Sequence, residues 1–273
     1  MQILTLTTDI GQNDYIIGAI KGQLLTANSA LNIVDISHSL SPFNFQQAAY
    51  ICKNAYKHFP PDTFHVVIVN LFETSPSDIL IARYNDQFIA CPDNGILTMI
   101  TGSKPNNIVS IKTTTNKNLD TLQYTQALAN SIAYLSNHKN IYDIGLPVDT
   151  IEEKYPLRST MGSDWIEGQI IFIDNFENVV VNITKEEFEQ QRKGRSFKIV
   201  FTRNETISSI SENYASTSPG EKLAWFNSAG YLEMAINKGN MAGLFGLQGI
   251  SDTPQDASFH NKYFYQTVRI FFE

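Results

Sequence analysis

Short apolar runs alternate with helix-like stretches throughout the first half of the chain, and this alternation constrains the fold more than any other feature. Ile3 to Thr8 and Asn32 to Ser37 have the residue types of strands, and Phe64 to Val69 is a nearly continuous apolar run. Such runs are typical of strands that are buried on both faces of a parallel sheet. The pattern therefore predicts an α/β domain over residues 1–150, with a mostly parallel sheet and helices on both faces.

The predicted helices and turns fit between these strands. Apolar residues at helical spacing begin at Ile16 and again at Phe45, and a further helix is predicted from Thr125 to Ser136. ILIARY and QFIACP form a predicted hairpin around Asn85-Asp86, and PDNGILTMI predicts a turn that leads into a short helix. Strands and helices therefore keep alternating to the end of this domain.

After the first domain, the alternation of strand-like and helix-like stretches gives way to short strand-like runs. Residues 151–164 have mixed polarity and weak periodicity, and we interpret them as a linker. Beyond them, short strand-like runs with Gly, Asn and Ser between them fill residues 165–273. These runs are GQIIFID, NVVVNI, FKIVFT, KLAWFNS, GYLEMAI and YQTVRIFF. They predict an all-β domain, either a small barrel or a sandwich.

Composition and charge exclude several classes of protein. Of the 273 residues, 42% are hydrophobic and 17% are charged, which is typical of a globular chain with ample material for a core. The net charge of -7 and the lack of a Lys/Arg cluster argue against nucleic-acid binding. No apolar run approaches the roughly 20 residues that a membrane helix needs. Because the start lacks a secretory signal and Cys52 and Cys91 have the apolar context of buried free thiols, we expect a cytoplasmic protein.

The sequence does not predict a metal site. The five histidines show no HxxxH or HxH spacing and form no cluster with cysteines. Gly-rich phosphate loops and the GxSxG nucleophile elbow are also missing from the sequence. His38 follows the second strand alone, which is more typical of a structural hydrogen-bonding group than of a catalytic base.

Two carboxylates surround a glycine turn at the end of the first strand, in the stretch TTDIGQND. Asp9 falls at the carboxyl end of the strand, which is the edge of an open α/β sheet where ligands bind. An ionised Asp can accept two hydrogen bonds from a ribose diol there. Asp14, near the start of the next helix, could hold a ligand ammonium group. Helix capping is the alternative for both acids, and spacing alone leaves the two interpretations open.

A second polar cluster lies in FIDNFENVVVNI, where Asp174, Phe176 and Asn178 fall at the tip of a predicted hairpin. An Asn amide donates and accepts at once, as the edge of adenine requires, and Phe176 could lie against a base. A plain hairpin turn uses the same polar residue types, so both interpretations stay open. Tyr214 and Ser228 lie in loops beside further strands.

Six stretches of the chain, taken in order, resemble one protein family. They are TLTTDIGQND–YIIGAIKG, VDISHSLSPFNFQQAAY, FHVVIVN, CPDNGILT, IDNFENVVVNI and NSAGYLEMAINKG. Over nearly its whole length the chain resembles the SAM hydroxide adenosyltransferases (SAM hydrolases), which are relatives of the fluorinase and chlorinase enzymes. The resemblance implies an N-terminal α/β domain and a C-terminal β domain.

The same resemblance implies an assembly and a reaction. Family members form homotrimers that bind S-adenosylmethionine (SAM) between the N-terminal domain of one subunit and the C-terminal domain of its neighbour. The reaction is an in-line displacement at C5′ of SAM that releases methionine. Water-derived hydroxide attacks in the hydrolases and a halide in the halogenases, and no cofactor is needed.

The resemblance also implies a role for each candidate ligand residue. Asp9 matches the acid that binds the ribose, and Asp14 matches an acid near the methionine end. Phe43 matches an aromatic residue that covers the ligand. In the second domain, Asp174 and Ser228 match residues that hold the methionine moiety, and the residues matched to adenine binding are Phe176, Asn178 and Tyr214.

The sequence departs from the family on the side of the attacking nucleophile. Where the hydrolases have a pattern close to VDPGVGTxR, this chain has NLFETSPS, so Asn70 replaces the Asp and Ser77 replaces the Arg. Where they have TFHGRD, this chain has TLQYTQ, and Gln123 replaces the His. The lost Asp, Arg and His are the trio thought to position and deprotonate water. General-base help is typically worth about 10²–10⁴ in rate, and Glu73 in the same loop is the predicted substitute base.

Three functions remain compatible with the sequence. The first is an altered SAM hydrolase in which Glu73 acts as the base while Asn70 and Gln123 orient the water. The second is a binding protein that keeps the SAM or adenosine pocket without the chemistry. The third is adenosyl transfer to a different nucleophile. Halogenation is disfavoured, because a carboxylate at position 73 would repel a halide in a pocket of low dielectric constant.

Overall fold

The structure, a computed structural model, describes residues 2–73, 78–111, 119–202, 205–247 and 266–273. The chain divides into two compact units, Met1–Pro156 and Leu157–Glu273. The first unit combines strands and helices, whereas the second is built mostly of strands. This is the fold class that the sequence predicts.

The described part of the first unit contains these strands: β1 (Gln2–Thr8), β2 (Leu31–Ser37), β3 (Phe64–Ile68), β4 (Ile79–Tyr84), β5 (Gln87–Pro92), β6 (Asn107–Ile111) and β7 (Leu146–Pro147). Its helices are α1 (Tyr15–Ala27), α2 (Phe45–Tyr56), α3 (Ile96–Thr101) and α4 (Thr121–His138). The predicted hairpin is confirmed, since β4 and β5 pair antiparallel with Tyr84 opposite Gln87.

The strands of the first unit form one mixed sheet in the order β2-β1-β3-β5-β4-β6-β7. The first four strands in this order are parallel, whereas β4, β6 and β7 pair antiparallel with their neighbours. From β1 the chain passes through α1 to β2 on one side, and then through α2 to β3 on the other side. The chain therefore leaves β1 in opposite directions along the sheet for the two connections. Such a switch point leaves a crevice at the carboxyl ends of the two neighbouring strands, here β1 and β3.

Two apolar cores cover the two faces of this sheet. One core joins α1 and α4 to the sheet, with Ile20, Leu24 and Leu128 among its buried residues. The other joins α2 and α3 to the opposite face, with Ala48 and Ile96 among its buried residues. The predicted arrangement of helices on both faces is therefore confirmed.

Side-chain caps fix where the helices begin. Asp14 caps α1, and Asp120 forms a capping box with Gln123 at the start of α4. In that box the Asp120 side chain accepts from the Gln123 N–H, and the Gln123 side chain accepts from the Asp120 N–H. Because these bonds satisfy free N–H groups of the first turn, α4 begins at Thr121 rather than at the predicted Thr125.

The described part of the second unit contains these strands: β8 (Thr160–Met161), β9 (Trp165–Ile173), β10 (Val179–Thr184), β11 (Phe197–Phe201), β12 (Glu205–Ile207), β13 (Lys222–Phe226), β14 (Tyr231–Ile236) and β15 (Thr267–Phe272). Two helices accompany them, α5 (Lys185–Arg192) and α6 (Met241–Leu244). The predicted strands are present, and α5 is an addition that the sequence interpretation missed.

The strand order of the second sheet is β12-β11-β15-β9-β10-β14-β13, with β8 paired to β9. The end strands β12 and β13 contact each other, so the sheet curls into a nearly closed barrel. Its interior is a continuous apolar core that includes Ile166, Val181 and Met234. Of the two predicted alternatives, barrel and sandwich, the structure has the barrel.

The segment interpreted as a linker, residues 151–164, contains ordered structure. Ile151 is buried in the second core of the first unit, and Glu153 forms an isolated parallel bridge with Gly95. The division between the units falls after Pro156. None of the described helices is both long and apolar enough to cross a membrane.

Candidate functional site

Asp9 lies directly beyond β1, at the crevice between β1 and β3. Its N–H donates to the carbonyl of Ile68 at the end of β3, and its Oδ2 accepts from the N–H of Asn70 at 2.9 Å. Burial raises the pKa of Asp9, while N–H groups that include those of Asn70 and Phe43 oppose the shift. The carboxylate is therefore held by the backbone of both neighbouring loops.

The two residues that surround Asp9 have unusual backbone conformations. Phe43 has φ +64° and Asn70 has φ +49°, both in the left-handed region. For a bulky residue such as Phe this conformation is strained, and strain of this kind clusters at ligand sites. The backbone N–H of Phe43 interacts with the Asp9 carboxylate, and the residue is 73% exposed. Asn94 stabilises the turn at Asn70, since its Nδ2 donates to the carbonyls of Val69 and Asn70 at 2.9 and 3.0 Å.

Glu73 lies one turn beyond Asn70 and is held by an ion pair. Its N–H donates to the Asn70 carbonyl, and both carboxylate oxygens lie 2.7 Å from the Nζ of Lys154. Lys154 also lies over the ring of Phe45, with Nζ 4.3 Å from its centroid. The hydroxyl of Thr98 accepts from the Lys154 N–H and donates to its carbonyl, which fixes the backbone that carries this cation.

Asp14 and Gln123, two further predicted site residues, both lie at helix N-termini. The Asp14 side chain accepts from the Ile16 N–H at 3.2 Å, and Gln123 is engaged in the capping box of α4. Both side chains are exposed. Ser77, which the sequence analysis matched to the family Arg, lies outside the described residues.

The turn between β9 and β10 is organised by Asp174. Its Oδ1 accepts from the N–H groups of Phe176 and Asn178 at 2.8 and 2.9 Å, and its Oδ2 accepts from the Asn178 Nδ2 at 2.9 Å. Asn178 is buried, whereas Phe176 is 74% exposed at the tip of the turn. The turn therefore presents an aromatic side chain on a rigid base.

Tyr214 lies beside this turn and donates to the carboxylate of Glu233 in β14. Burial raises the pKa of Tyr214, and the charges of Glu233 and Asp174 act in the same direction. The ring of Tyr214 packs edge-on against Trp225, with centroids 4.8 Å apart. Four of the five predicted site residues in the second unit therefore have defined partners, and the fifth, Ser228, is exposed.

The structure supports a structural role for the groups that the sequence analysis set aside. His38 is buried, with Nδ1 3.0 Å from the hydroxyl of Thr8 and Nε2 3.2 Å from Asp35. Cys52 and Cys91 are buried free thiols. No group of three metal-ligating side chains occurs among the residues that the structure describes.

Comparison with known proteins identifies the family of this chain. Residues 4–145 match the SAM hydroxide adenosyltransferase N-terminal domain, and residues 168–252 match the SAM hydroxide adenosyltransferase C-terminal domain. The chain belongs to the SAM hydroxide adenosyltransferase family. The resemblance carried by the six sequence stretches is thereby confirmed.

Curated relatives within the SAM hydroxide adenosyltransferases carry the name (R)-S-adenosyl-L-methionine hydrolase. The protein from Methanocaldococcus jannaschii is 29% identical over 194 residues, which cover 68% of this chain and 69% of that protein. The protein from Thermus thermophilus is 21% identical over 262 residues, which cover 91% of this chain and 97% of that protein.

Solved structures share the fold at lower sequence identity. An uncharacterized conserved protein from Thermotoga maritima has a TM-score of 0.81 and 23% identity, over 99% of this chain and 100% of that chain. A conserved hypothetical protein from Thermus thermophilus has a TM-score of 0.71 and 19% identity, over the full length of both chains.

Two residues at the candidate sites of this SAM hydroxide adenosyltransferase escaped the sequence analysis. Lys154 lies 81 positions from Glu73, within the segment interpreted as a linker, and Glu233 lies 19 positions from Tyr214. A signal was present for Glu233, because a lone acid interrupts the apolar residues of the strand YLEMAI. No comparable signal marks Lys154.

Proposed function

We propose that this protein hydrolyses SAM to adenosine and L-methionine by displacement at C5′. The single observation that carries the proposal is the position of Asp9, a partly desolvated carboxylate at the crevice between β1 and β3. Its place at the switch point of the sheet suits a ribose diol, and the family and the names of the curated relatives support the same substrate.

The ligand roles follow from the resemblance, and the exposed rings of Phe43 and Phe176 are accessible to a ligand. Asp9 accepts from the ribose hydroxyls, and the exposed ring of Phe43 covers the ligand. Asp14, Asp174 and Ser228 hold the methionine end. The residues that bind adenine are Phe176, Asn178 and Tyr214.

Attack at C5′ requires a water that loses a proton. Asn70 and Gln123 carry amides that can orient water but have no basic atom, so the proton passes to the carboxylate of Glu73. Lys154 keeps this carboxylate in one position through its two contacts of 2.7 Å. Methionine leaves as a neutral thioether from the sulfonium, and the attacking oxygen becomes the 5′-hydroxyl of adenosine.

The proposal includes a homotrimer with the site shared between neighbouring subunits. It is supported by the division of the ligand residues, of which one set lies in the first unit and the other in the second. We also propose a cytoplasmic location, which the two free thiols support because reducing compartments keep cysteines unpaired.

A second candidate function is the binding of SAM or adenosine without turnover. It is favoured by the ion pair of Glu73, since a carboxylate that accepts a proton would give up its attraction to Lys154. The two functions make opposite predictions for one experiment.

The experiment incubates purified protein with SAM and follows adenosine by chromatography. We expect adenosine from the wild type and a loss of about 10²-fold or more in rate for Glu73→Gln, in line with the usual worth of a general base. Glu152→Gln is the matched control, an exposed acid of the same unit that is expected to keep the wild-type rate. Measurable SAM binding without adenosine would establish the second candidate, and turnover that survives Glu73→Gln would exclude Glu73 as the base.

A further inference from the structure

Glu233 is a buried carboxylate on the outer face of the second sheet. Leu232 and Met234 of β14 point into the apolar core, so Glu233 between them lies on the opposite face. It is nevertheless only 4% exposed. Its neighbours across the sheet on that face are Val180 of β10 and Trp225 of β13.

Three side chains donate hydrogen bonds to this carboxylate. Oε1 accepts from the hydroxyl of Tyr214 and from Nε1 of Trp225, which is 3.0 Å away. Oε2 accepts from Nδ2 of Asn227 at 3.1 Å. All three donors are neutral, and among the described residues no cationic side chain forms an ion pair with Glu233.

A carboxylate in this environment is poorly explained by stability alone. Burying a charge without a counter-ion carries a desolvation cost, and an apolar residue would cover the same sheet face without it. What a carboxylate supplies instead is orientation. Two acceptor oxygens direct donors that belong to separate segments of the chain toward one point.

Asn227 extends this arrangement to the turn between β13 and β14. Its Nδ2 donates to Glu233, while its Oδ1 accepts from the N–H of Ala229 at 3.0 Å. Ser228 lies in this turn. Glu233 therefore joins the segment that carries Tyr214 to the turn that carries Ser228.

We propose that Glu233 is a positioning residue for the ligand, which holds Tyr214 and the turn of Ser228 in the arrangement that binds SAM. The inference rests on the proposed function, because that function gives these two residues their ligand roles. Glu233 acts through its neighbours and does not touch the reacting atoms. Its loss therefore raises KM and leaves kcat nearly unchanged.

The kinetic test compares Glu233→Gln with the wild type. A carboxamide has the same size but offers a donor where the carboxylate offered an acceptor, so one of the three hydrogen bonds is lost. We expect KM for SAM to rise by about 10-fold or more, the scale of a lost hydrogen bond to a charged group, and kcat to change by less than about 3-fold. Glu205→Gln is the control, since Glu205 lies in the same unit and its carboxylate pairs with Lys222.

A double variant separates positioning from a general loss of structure. In Glu233→Gln with Asn227→Asp, the new amide donates to the new carboxylate, so the hydrogen bond returns with its direction reversed and the net charge is kept. We expect KM to return to within about 3-fold of the wild type, because each buried group regains a partner. A double variant as weak as the single variant would contradict the positioning role.

A fluorescence test reports on the same contact without SAM. Trp225 packs against Tyr214, so in a Trp165→Phe background its emission reports whether that segment is held. Acrylamide quenching of Trp225 should increase at least about twofold in Glu233→Gln, since the released segment admits the quencher. If Glu233→Gln does not fold, Tyr214→Phe removes one donor and should raise quenching in the same direction.

The outcomes separate the two proposals. Unchanged KM together with unchanged quenching in Glu233→Gln would overturn the role of Glu233 while the proposed function stands. A wild type that neither binds nor converts SAM would overturn the proposed function, and the quenching result would still decide whether Glu233 positions Tyr214.

Discussion

At the scale of single residues, Asp9 is the group on which the proposed ligand binding depends. Its carboxylate is removed from much of the solvent, yet no lysine or arginine compensates its charge among the described residues. Backbone N–H groups hold it instead, including that of Asn70 at 2.9 Å. Such a carboxylate is fixed in position and keeps acceptor capacity for two ligand hydroxyls.

Asp9→Asn should therefore weaken the binding of SAM and of adenosine alike. A carboxamide has one acceptor oxygen where the carboxylate has two, and it carries no charge, so we expect a loss of about 10–100-fold in affinity, the scale of one hydrogen bond to a charged group. Isothermal titration calorimetry provides the measurement. Asp86→Asn is the matched control, because Asp86 is exposed in the turn between β4 and β5 and Asn tolerates its left-handed backbone conformation of φ +59°. Equal affinities for wild type and Asp9→Asn would remove Asp9 from the ribose role.

The pH dependence of binding should carry the signature of Asp9. Burial raises its pKa above 3.8, so protonation begins at a higher pH than for an ordinary Asp. Affinity for adenosine should be constant near neutral pH and fall as the pH drops through this raised pKa. The folding stability of the ligand-free protein depends on pH in the opposite direction. The contribution of Asp9 to the free energy of unfolding is present at low pH and is lost as the pH rises through the raised pKa. Measurements of adenosine affinity and of the free energy of unfolding from neutral to acid pH, repeated with Asp9→Asn, test both predictions.

At the scale of elements, the short helix α3 determines where Lys154 can lie. Gly95 precedes α3 with φ +94°, and a Cβ there would come within 2.5 Å of Cγ of Lys154. Gly102 follows the same helix with φ +77°, and a Cβ there would meet no atom within 4 Å. Both glycines have a left-handed backbone conformation that would strain any other residue, but only Gly95 has another side chain close to it.

Replacing each glycine by alanine separates these two effects. Gly102→Ala should lower the free energy of unfolding by about 1 kcal/mol through backbone strain alone. Gly95→Ala should lower it by about 2–3 kcal/mol in total, because the clash with Lys154 is added. It should also reduce turnover, since Lys154 must move away from Glu73. Urea denaturation and adenosine formation are the measurements, and identical behaviour of the two variants would contradict the role of Gly95 in placing Lys154.

The fold followed from local signals wherever such signals were strong. The apolar run at Phe64, the Asn85-Asp86 turn and the alternation of helices and strands predicted the elements correctly. Helix α5 was missed although Thr184 and Glu187 form a capping box, a signal that its short and polar sequence outweighed.

The residues that surround the candidate sites were harder to predict, because their partners are distant in sequence. Glu73 and Lys154 are 81 positions apart in the sequence, and no local sequence pattern predicts their contact. From the sequence, Glu233 is expected on an exposed face of its strand, and only the structure shows that Tyr214 donates a hydrogen bond to it. Residue types therefore identified candidate ligand residues, whereas the groups that hold them emerged from packing.

At the scale of the whole molecule, the proposed trimer should allow inactive chains to complement each other. Asp9→Asn changes the first unit, and Phe176→Ala removes an exposed ring from the second. If neighbouring subunits share each site, mixed trimers of the two variants contain sites with neither change, about a quarter of all sites for random mixing. Activity should then exceed that of either variant alone, at a SAM concentration below KM.

Sizing of the 30.7 kDa chain decides whether this test applies as designed. We expect a trimer, and co-expression of the two variants should then restore turnover. A trimer whose mixed form is no more active than its parents would place the whole site within one chain. A monomer that converts SAM would contradict the shared site directly.

The central claim, displacement by water at C5′ of SAM, is tested most directly by oxygen labelling. The wild-type protein is incubated with SAM in water enriched in oxygen-18, and the products are analysed by mass spectrometry. The account predicts adenosine that carries one oxygen-18 atom in its 5′-hydroxyl, together with unlabelled L-methionine. Bound SAM that yields no adenosine, or adenosine without the label, would contradict it.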